Sequence, residues 1–150
     1  MHAGSSQPPA PLVRLVSSPK DLQQALCIRL AVFVHEQGVP PEEEIDLRDL
    51  DADHLLAEVC GRAVGTARVV RLDAGTARIG RVAVVRRSRG VGVGWALMRA
   101  CEAVANPWAH SIILDAQVQV FGFYERLGYI REGDVFLDCG IEHVRMRLAL

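Results

Sequence analysis

At 150 residues the chain is long enough for one domain with a packed core and too short for two ordinary ones. Half of its residues are hydrophobic, which excludes a disordered chain, and a formal net charge of -1 excludes the broad basic field of a nucleic-acid binder. No apolar run reaches membrane-spanning length, no N-terminal signal pattern is present, and the four cysteines, Cys27, Cys60, Cys101 and Cys139, are scattered without a C-x-x-C pair. The expectation is a cytoplasmic protein with reduced thiols, no metal and no membrane partner.

Residues 1–11 are rich in Gly, Ser and Pro and read as a flexible tail, with residues 12–150 as a single domain. Leu12 to Val16 reads as a first strand. Ser18-Pro19-Lys20-Asp21 is a helix start, with Ser18 as N-cap, Pro19 at the first helical position and Asp21 reaching back as in a capping box. Leu22, Leu26, Leu30 and Phe33 then repeat at helical spacing and are expected to face the core. Gly38, Pro40 and Pro41 end that helix. The acids Glu42, Glu43, Glu44, Asp46, Asp49, Asp51 and Asp53 follow, a solvated loop by charge pattern; the alternative is a rim of carboxylates that attracts a cationic amine. His35-Glu36 does not extend to the zinc motif H-E-x-x-H, because position 39 is Val39. His54–Cys60 and Ala63–Leu72 are strand-like runs joined through Gly61-Arg62, and a turn at Asp73–Thr76 leads into Arg78–Val85. Sequential strands with short turns predict an antiparallel meander.

The stretch from Arg81 to Trp95 organises the rest. An apolar run, Val82 to Val85, is followed by Arg86-Arg87-Ser88-Arg89 and then Gly90-Val91-Gly92-Val93-Gly94, after which a helix opens at Trp95. Leu97, Met98, Cys101 and Val104 are expected inside this helix, Arg99 and Glu102 outside, with Asn106-Pro107 as its stop. Ser111 to Ala116 reads as a buried strand, and Val118 to Leu127 as a short helix closed by Gly128 with Tyr129 just beyond. A turn-rich segment and a final alternating strand, His143 to Leu148, complete the chain. Strand, glycine loop and helix start form an anion site, since glycines admit close backbone approach and the first helical N–H groups lack partners. A P-loop is excluded because the only lysine is Lys20. A dinucleotide fingerprint is excluded because its third glycine falls on Trp95 or Leu97. Arg/Gln-x-x-Gly-x-Gly/Ala is satisfied by Arg89 to Gly94.

That loop resembles the pyrophosphate loop of the GCN5-related N-acetyltransferases, the GNAT superfamily, which hold acetyl-CoA. A second, independent motif lies in the expected order. Phe123-Tyr124-Glu125-Arg126-Leu127-Gly128-Tyr129 ends a frame similar to the superfamily's Asn-x-x-Ala/Gly-x-x-Phe/Leu-Tyr-Glu-x-x-Gly-Phe/Tyr, with Gln117 where Asn is usual. Further stretches resemble the ElaA-like subgroup: Arg29 to Gln37, Asp46, Asp49, His54, Gly80 to Val84, Ala116-Gln117 and Gly140 to Val144. The resemblance runs from about Leu12 to the C-terminus. It implies an α+β, three-layer GNAT fold: a mixed, mostly antiparallel central sheet flanked by helices and splayed at the acetyl-CoA site.

Carried over residue by residue, the resemblance implies that Val82, Ala83 and Val84 bond the pantetheine through backbone groups. Arg89, Gly90, Val91, Gly92, Val93 and Gly94 wrap the pyrophosphate, Gln117 lies at the cofactor, and Tyr124 points its hydroxyl at the thioester sulfur as general acid. Periodicity alone makes Tyr124 a core aromatic, because Val120, Tyr124 and Leu127 share a face. The implied activity is N-acetylation of a small-molecule or peptide amine, with acetyl-CoA as co-substrate, no metal, and compatibility with a homodimer. A backbone N–H of Val84 is the candidate oxyanion donor. The strand before the loop offers Arg78 and Arg81 where some relatives carry a Glu, so the base is sought among His143, His54 and Glu58, with His143 as the catalytic candidate. Other readings stay open. One is a non-catalytic acyl-CoA sensor. Another is an acyl-homoserine-lactone-synthase-like acyltransferase, whose Arg-x-x-Val-Phe start and following acids resemble Arg29 to Phe33, Asp46 and Asp49.

Overall fold

The computed structural model describes residues 7–150; residues 1–6 of the expected tail lie outside the described residues, and 7–11 take no regular structure. Local turn chemistry builds the first half of the sheet. β1 (Leu12–Leu15) pairs antiparallel with β2 (Asp53–Val59), and β2 with β3 (Arg62–Arg71). Cys60 and Gly61, at φ 50° and 76°, make the type I′ turn that a two-residue hairpin demands. β4 (Thr76–Val84) continues the meander as expected. β5 (Ser111–Gln117) meets β4 in parallel, β7 (Ile141–Ala149) lies on β5, and β6 (Ile130–Asp138) lies on β7 at the far edge, giving the seven-strand order β1-β2-β3-β4-β5-β7-β6. β6 replaces the turn-rich segment read from the sequence. All of its residues are exposed, so no buried face imposes an alternating pattern, and Gly133 sits inside a register shift.

Helices cover both faces. On one side α1 (Pro19–Arg29) packs Ala25 and Ile28, with Val32 beyond it, against Leu56 and Ala83. The expected stripe is displaced: Leu22, Leu26, Leu30 and Phe33 are half-buried flanks. The inward face carries Asp21 and Arg29, whose ion pairs with Arg14 and with Glu44 and Asp49 fix the rotation of the helix. Ser18 caps it by accepting from the Asp21 N–H at 3.1 Å, but the capping box is only half made, because the Asp21 carboxylate accepts from Ser17 N and Arg14 instead. After Arg29 the chain widens into π-helical turns, Leu30–Glu36, and a short α2 (Pro41–Glu44) follows. On the other side α3 (Val93–Ala105) and α4 (Phe121–Arg126) share the larger core with Leu55, Ile79, Ile112, Leu114 and Met146. Gly65 permits the close approach of α3: a Cβ there would stand 2.9 Å from Leu97 Cδ1. Val104 is only half-buried, and Glu102, expected outside, is buried beside Arg99.

β4 and β5 pair only from Thr76–Arg78 to Ser111–Ile113. Beyond Arg78, β4 stays with β3 while β5 follows β7, and the sheet opens between them. A bulge marks the departure. Thr66 faces Ala83 and Arg68 faces Gly80, so Ala67 alone opposes both Arg81 and Val82, and Arg81 holds φ 53°. The bulge changes which side each residue serves. Ala77 and Ile79 join the core under α3; after Arg81, Val82 and Val84 pack against that core while Ala83 joins the cluster under α1.

Candidate active site

The opening between β4 and β5 is a cleft of about 760 Å³. One wall is Gly80 to Val84 and the glycine loop, the other the end of β5 with α4, and residues of the π-helical turns, α2 and the β6–β7 turn close the far end. The residues assigned to the cofactor from the sequence, together with Tyr124 and His143, line this cleft except Val91, which is 51% exposed.

Positive φ at Gly90 (81°) and Gly92 (90°) swings the loop into the N-terminus of α3. Gly92 is the N-cap and supplies no side chain, so the N–H groups of the first helical turn are left for an external acceptor. Buried Val93 anchors the loop from below, and Gly94 lies under the Phe123 ring, where a Cβ would come within 3.4 Å. Arg89 lines the cleft and also makes contacts within the chain. Its Nε donates to Val84 O at 2.9 Å and its Nη2 to Glu36 at 2.9 Å, which ties the loop to β4 and to the end of the π-helical turns. The Val85 N–H donates to Val64 O, so alternation along β4 turns the Val84 peptide away from β3, to the cleft side where Arg89 meets it. The Val84 N–H therefore points into the cleft.

Across the cleft, Gln117 and Gln37 form a reciprocal amide pair, with the Gln117 Nε2 donating at 2.8 Å and the Gln37 Nε2 at 3.3 Å. Gln117 also lies opposite His143 in the β5–β7 ladder. The His143 ring stacks on Phe136, and its Nδ1 lies 2.7 Å from the carbonyl of Ile141. A carbonyl oxygen only accepts, so Nδ1–H is the donor, and in the neutral ring the lone pair then lies on Nε2. Tyr124 is held edge-on between Phe123 and Tyr129, at ring distances of 5.0 Å and 6.2 Å. Burial, with a lesser effect of Cys101, pushes its phenol up to about 12, so it stays protonated at neutral pH.

The other base candidates stand elsewhere. His54 is buried with Nε2 on Asp49 O at 2.9 Å, and Glu58 is paired with Arg14; neither lines the cleft. The acidic run divides: Glu42, Glu43, Asp51 and Asp53 are exposed, as a solvated loop requires, whereas Glu44, Asp46 and Asp49 belong to an ion network. Arg29, 1% exposed, binds Glu44 Oε1 and Asp49 Oδ1, both at 2.7 Å. Arg68 binds Asp46 and Asp49, and Arg81 reaches Glu44 and Asp46. Burial alone would raise the Asp49 carboxyl, but hydrogen bonds from Arg29 and Arg68 prevail and hold it well below the usual carboxylate range. Only Glu42, Glu43, Asp51 and Asp53 remain outside this network, and of these Glu43 lines the cleft, accepting from the Cys139 thiol. Sequence reasoning missed Phe33, Val39, Asp138 and Cys139 as cleft residues, because π-helical turns, a fully exposed strand and the irregular segments after them carry no period to read.

A model of the acetyltransferase (GNAT) domain matches residues 18–150. The chain belongs to the GNAT acetyltransferase family. The family draws on acetyl-CoA, and the chain is an acyltransferase of it. The Bacillus subtilis protein YjcF, named as an uncharacterized N-acetyltransferase, is 37% identical over 134 residues, which span 88% of this chain and 95% of that one. The crystal structure of Escherichia coli ElaA superposes with a TM-score of 0.82 at 30% identity, covering 92% of this chain and 99% of ElaA. An acyl-CoA N-acyltransferase from Pseudomonas aeruginosa superposes at 0.79 with 32% identity, over 93% of this chain and 99% of that one. The seven-strand, mostly antiparallel open sheet is thus the GNAT architecture.

Proposed function

We propose that this GNAT protein acetylates a primary amine by direct attack on acetyl-CoA held in the β4–β5 cleft. The observation that carries this reading is the convergence on one cleft of an uncapped α3 N-terminus, an inward-facing Val84 N–H and the Tyr124 phenol. The residues suit a CoA thioester. Two positive-φ glycines and free helical N–H groups fit a pyrophosphate, and β4 beyond Arg78 has no strand on its cleft side, which leaves an edge for an extended pantetheine. Arg89 then acts as a brace of the loop rather than as its main anion donor.

An alkyl ammonium has a pKa near ~10, so the acceptor must lose a proton before attack. His143 takes that proton at Nε2, directly or through water, while its Nδ1 stays fixed on Ile141 O. As the new C–N bond forms, the Val84 N–H supports charge on the carbonyl oxygen. Tyr124 donates its proton to the sulfur as the C–S bond breaks, the attacking nitrogen sheds its second proton to solvent to leave the neutral amide, and solvent reprotonates the tyrosine. Arg29, Asp46 and Asp49, which resemble residues of the lactone synthases, are committed to the buried ion network and do not line the cleft. The ElaA-like assignment, a cytoplasmic location and one domain over residues 12–150 belong to the same reading. Calorimetry with CoA, followed by turnover against a panel of amines, tests it. Binding without turnover of any amine would instead make the chain a sensor, and absence of binding would end both readings.

A further inference from the structure

We infer that Arg81 is a positioning residue for the cofactor strand, and that segment 43–46, at the far end of the cleft, sets its conformation by gripping its guanidinium. This rests on the proposed binding of CoA along β4. The bulge has the two-against-one count of a G1-type bulge, whose first residue sits in the left-handed region and is ordinarily glycine. Here that residue is an arginine at φ 53°, with Gly80 immediately before it. A side chain with a Cβ occupies that region only when its surroundings hold it there.

Those surroundings are Glu44 and Asp46. Arg81 Nε lies 3.1 Å from Glu44 O and 3.2 Å from Glu44 Oε2, and Nη2 lies 3.3 Å from Asp46 Oδ2. Both acids are themselves clamped, Glu44 by Arg29 and Asp46 by Arg68. The grip is thus anchored to the rigid network rather than to a free loop. Its consequence is the change of face along β4. Because an extra residue is absorbed at Arg81, Val82 and Val84 turn to the α3 side and the Val84 peptide aims into the cleft. Without the bulge, Ala83 would take that side and the Val84 side chain would face α1. The far end of the cleft therefore fixes the hydrogen-bonding aim of its β4 wall.

The test separates backbone conformation from charge. Gly accepts the left-handed region freely, and Asn does so better than other L residues, whereas Ala does not. Arg81→Gly, Arg81→Asn and Arg81→Ala all delete the guanidinium. CoA affinity by calorimetry should stay near wild type in the Gly and Asn variants. It should fall by about tenfold in the Ala variant, the scale set by the left-handed penalty. Equal affinities in all three, whether high or low, would overturn the inference. Ligand-free crystal structures form a second arm: Arg81→Gly should keep Ala67 opposite residues 81 and 82, and Arg81→Ala should lose or move the bulge. If wild type itself does not bind CoA, the functional reading fails, and these structures still decide the role of Arg81; an unmoved bulge in Arg81→Ala refutes it.

Discussion

Replacing Tyr124 with Phe isolates the proposed proton donor, because the ring and its edge-on contacts with Phe123 and Tyr129 are retained. Burial and Cys101, with no hydrogen bond among the causes, account for the raised Tyr124 phenol. Deleting the hydroxyl therefore removes no protein hydrogen bond of consequence, and stability at neutral pH should change by less than about 0.5 kcal/mol. If the hydroxyl protonates the leaving sulfur, kcat should drop by about 100-fold, equivalent to about 2.7 kcal/mol of barrier. KM for acetyl-CoA should stay nearly constant, because the interaction is made only while charge builds on sulfur. Cys27, Cys60 and Cys139 are exposed and would react with thiol reagents, so turnover is better followed through loss of thioester absorbance. Wild-type kcat in the Phe variant at saturating acetyl-CoA would refute the acid role. A raised KM at constant kcat would reduce the tyrosine to a binding contact. Stability gives an independent check. The phenol titrates near ~10 in the unfolded chain and at about 12 when folded. Its raised value contributes stability that is complete below pH ~10 and is lost as pH rises through the folded value, up to about 2.7 kcal/mol for two units. The Phe variant should lack that part of the alkaline decline.

Five further outcomes rest on the packing, the ion network and the cleft lining. Arg29→Met leaves Glu44 and Asp49 buried without their main cation and should cost about 3–5 kcal/mol in urea denaturation. The depressed Asp46 and Asp49 carboxyls contribute stability present above about pH 4 and lost as pH falls through their folded values, and Arg29→Met, by bringing the folded Asp49 value closer to the unfolded one, should shrink the Asp49 part of that loss. Gly65→Ala should cost about 1–3 kcal/mol by wedging Leu97 and Val93 off β3, and CoA affinity should fall with it, since Val93 anchors the glycine loop. Gly92→Ala meets open space but holds φ 90°, so its penalty is conformational, about 1–2 kcal/mol; calorimetry should show weaker CoA binding with the fold retained. Glu43→Gln should lower kcat/KM for a cationic amine at low salt and leave CoA affinity alone, whereas equal values would take Glu43 out of the acceptor path.

Local chemistry made much of this protein legible. The Ser18 cap, the Cys60-Gly61 hairpin, the meander into β4, the glycine loop and the Gly128 stop all rest on interactions within a few residues, which a linear pattern carries directly. Tyr124 needed more: its spacing marked a core aromatic, and its place at the cleft came from resemblance to a family motif. Tertiary structure decided the rest. The rotation of α1 follows ion pairs from Arg29 to acids 15 and 20 residues away, which hydrophobic spacing cannot register. β6 has no buried face, so it exists only because β7 offers an edge. The acids 44, 46 and 49 looked solvated because their cations stand on α1, β3 and β4. The left-handed Arg81 is invisible locally, since the neighbouring Gly80 is the residue that intrinsic preference would choose. Periodicity records which side chains avoid water, whereas pairing between distant charges and the splitting of a sheet depend on where the chain returns in space.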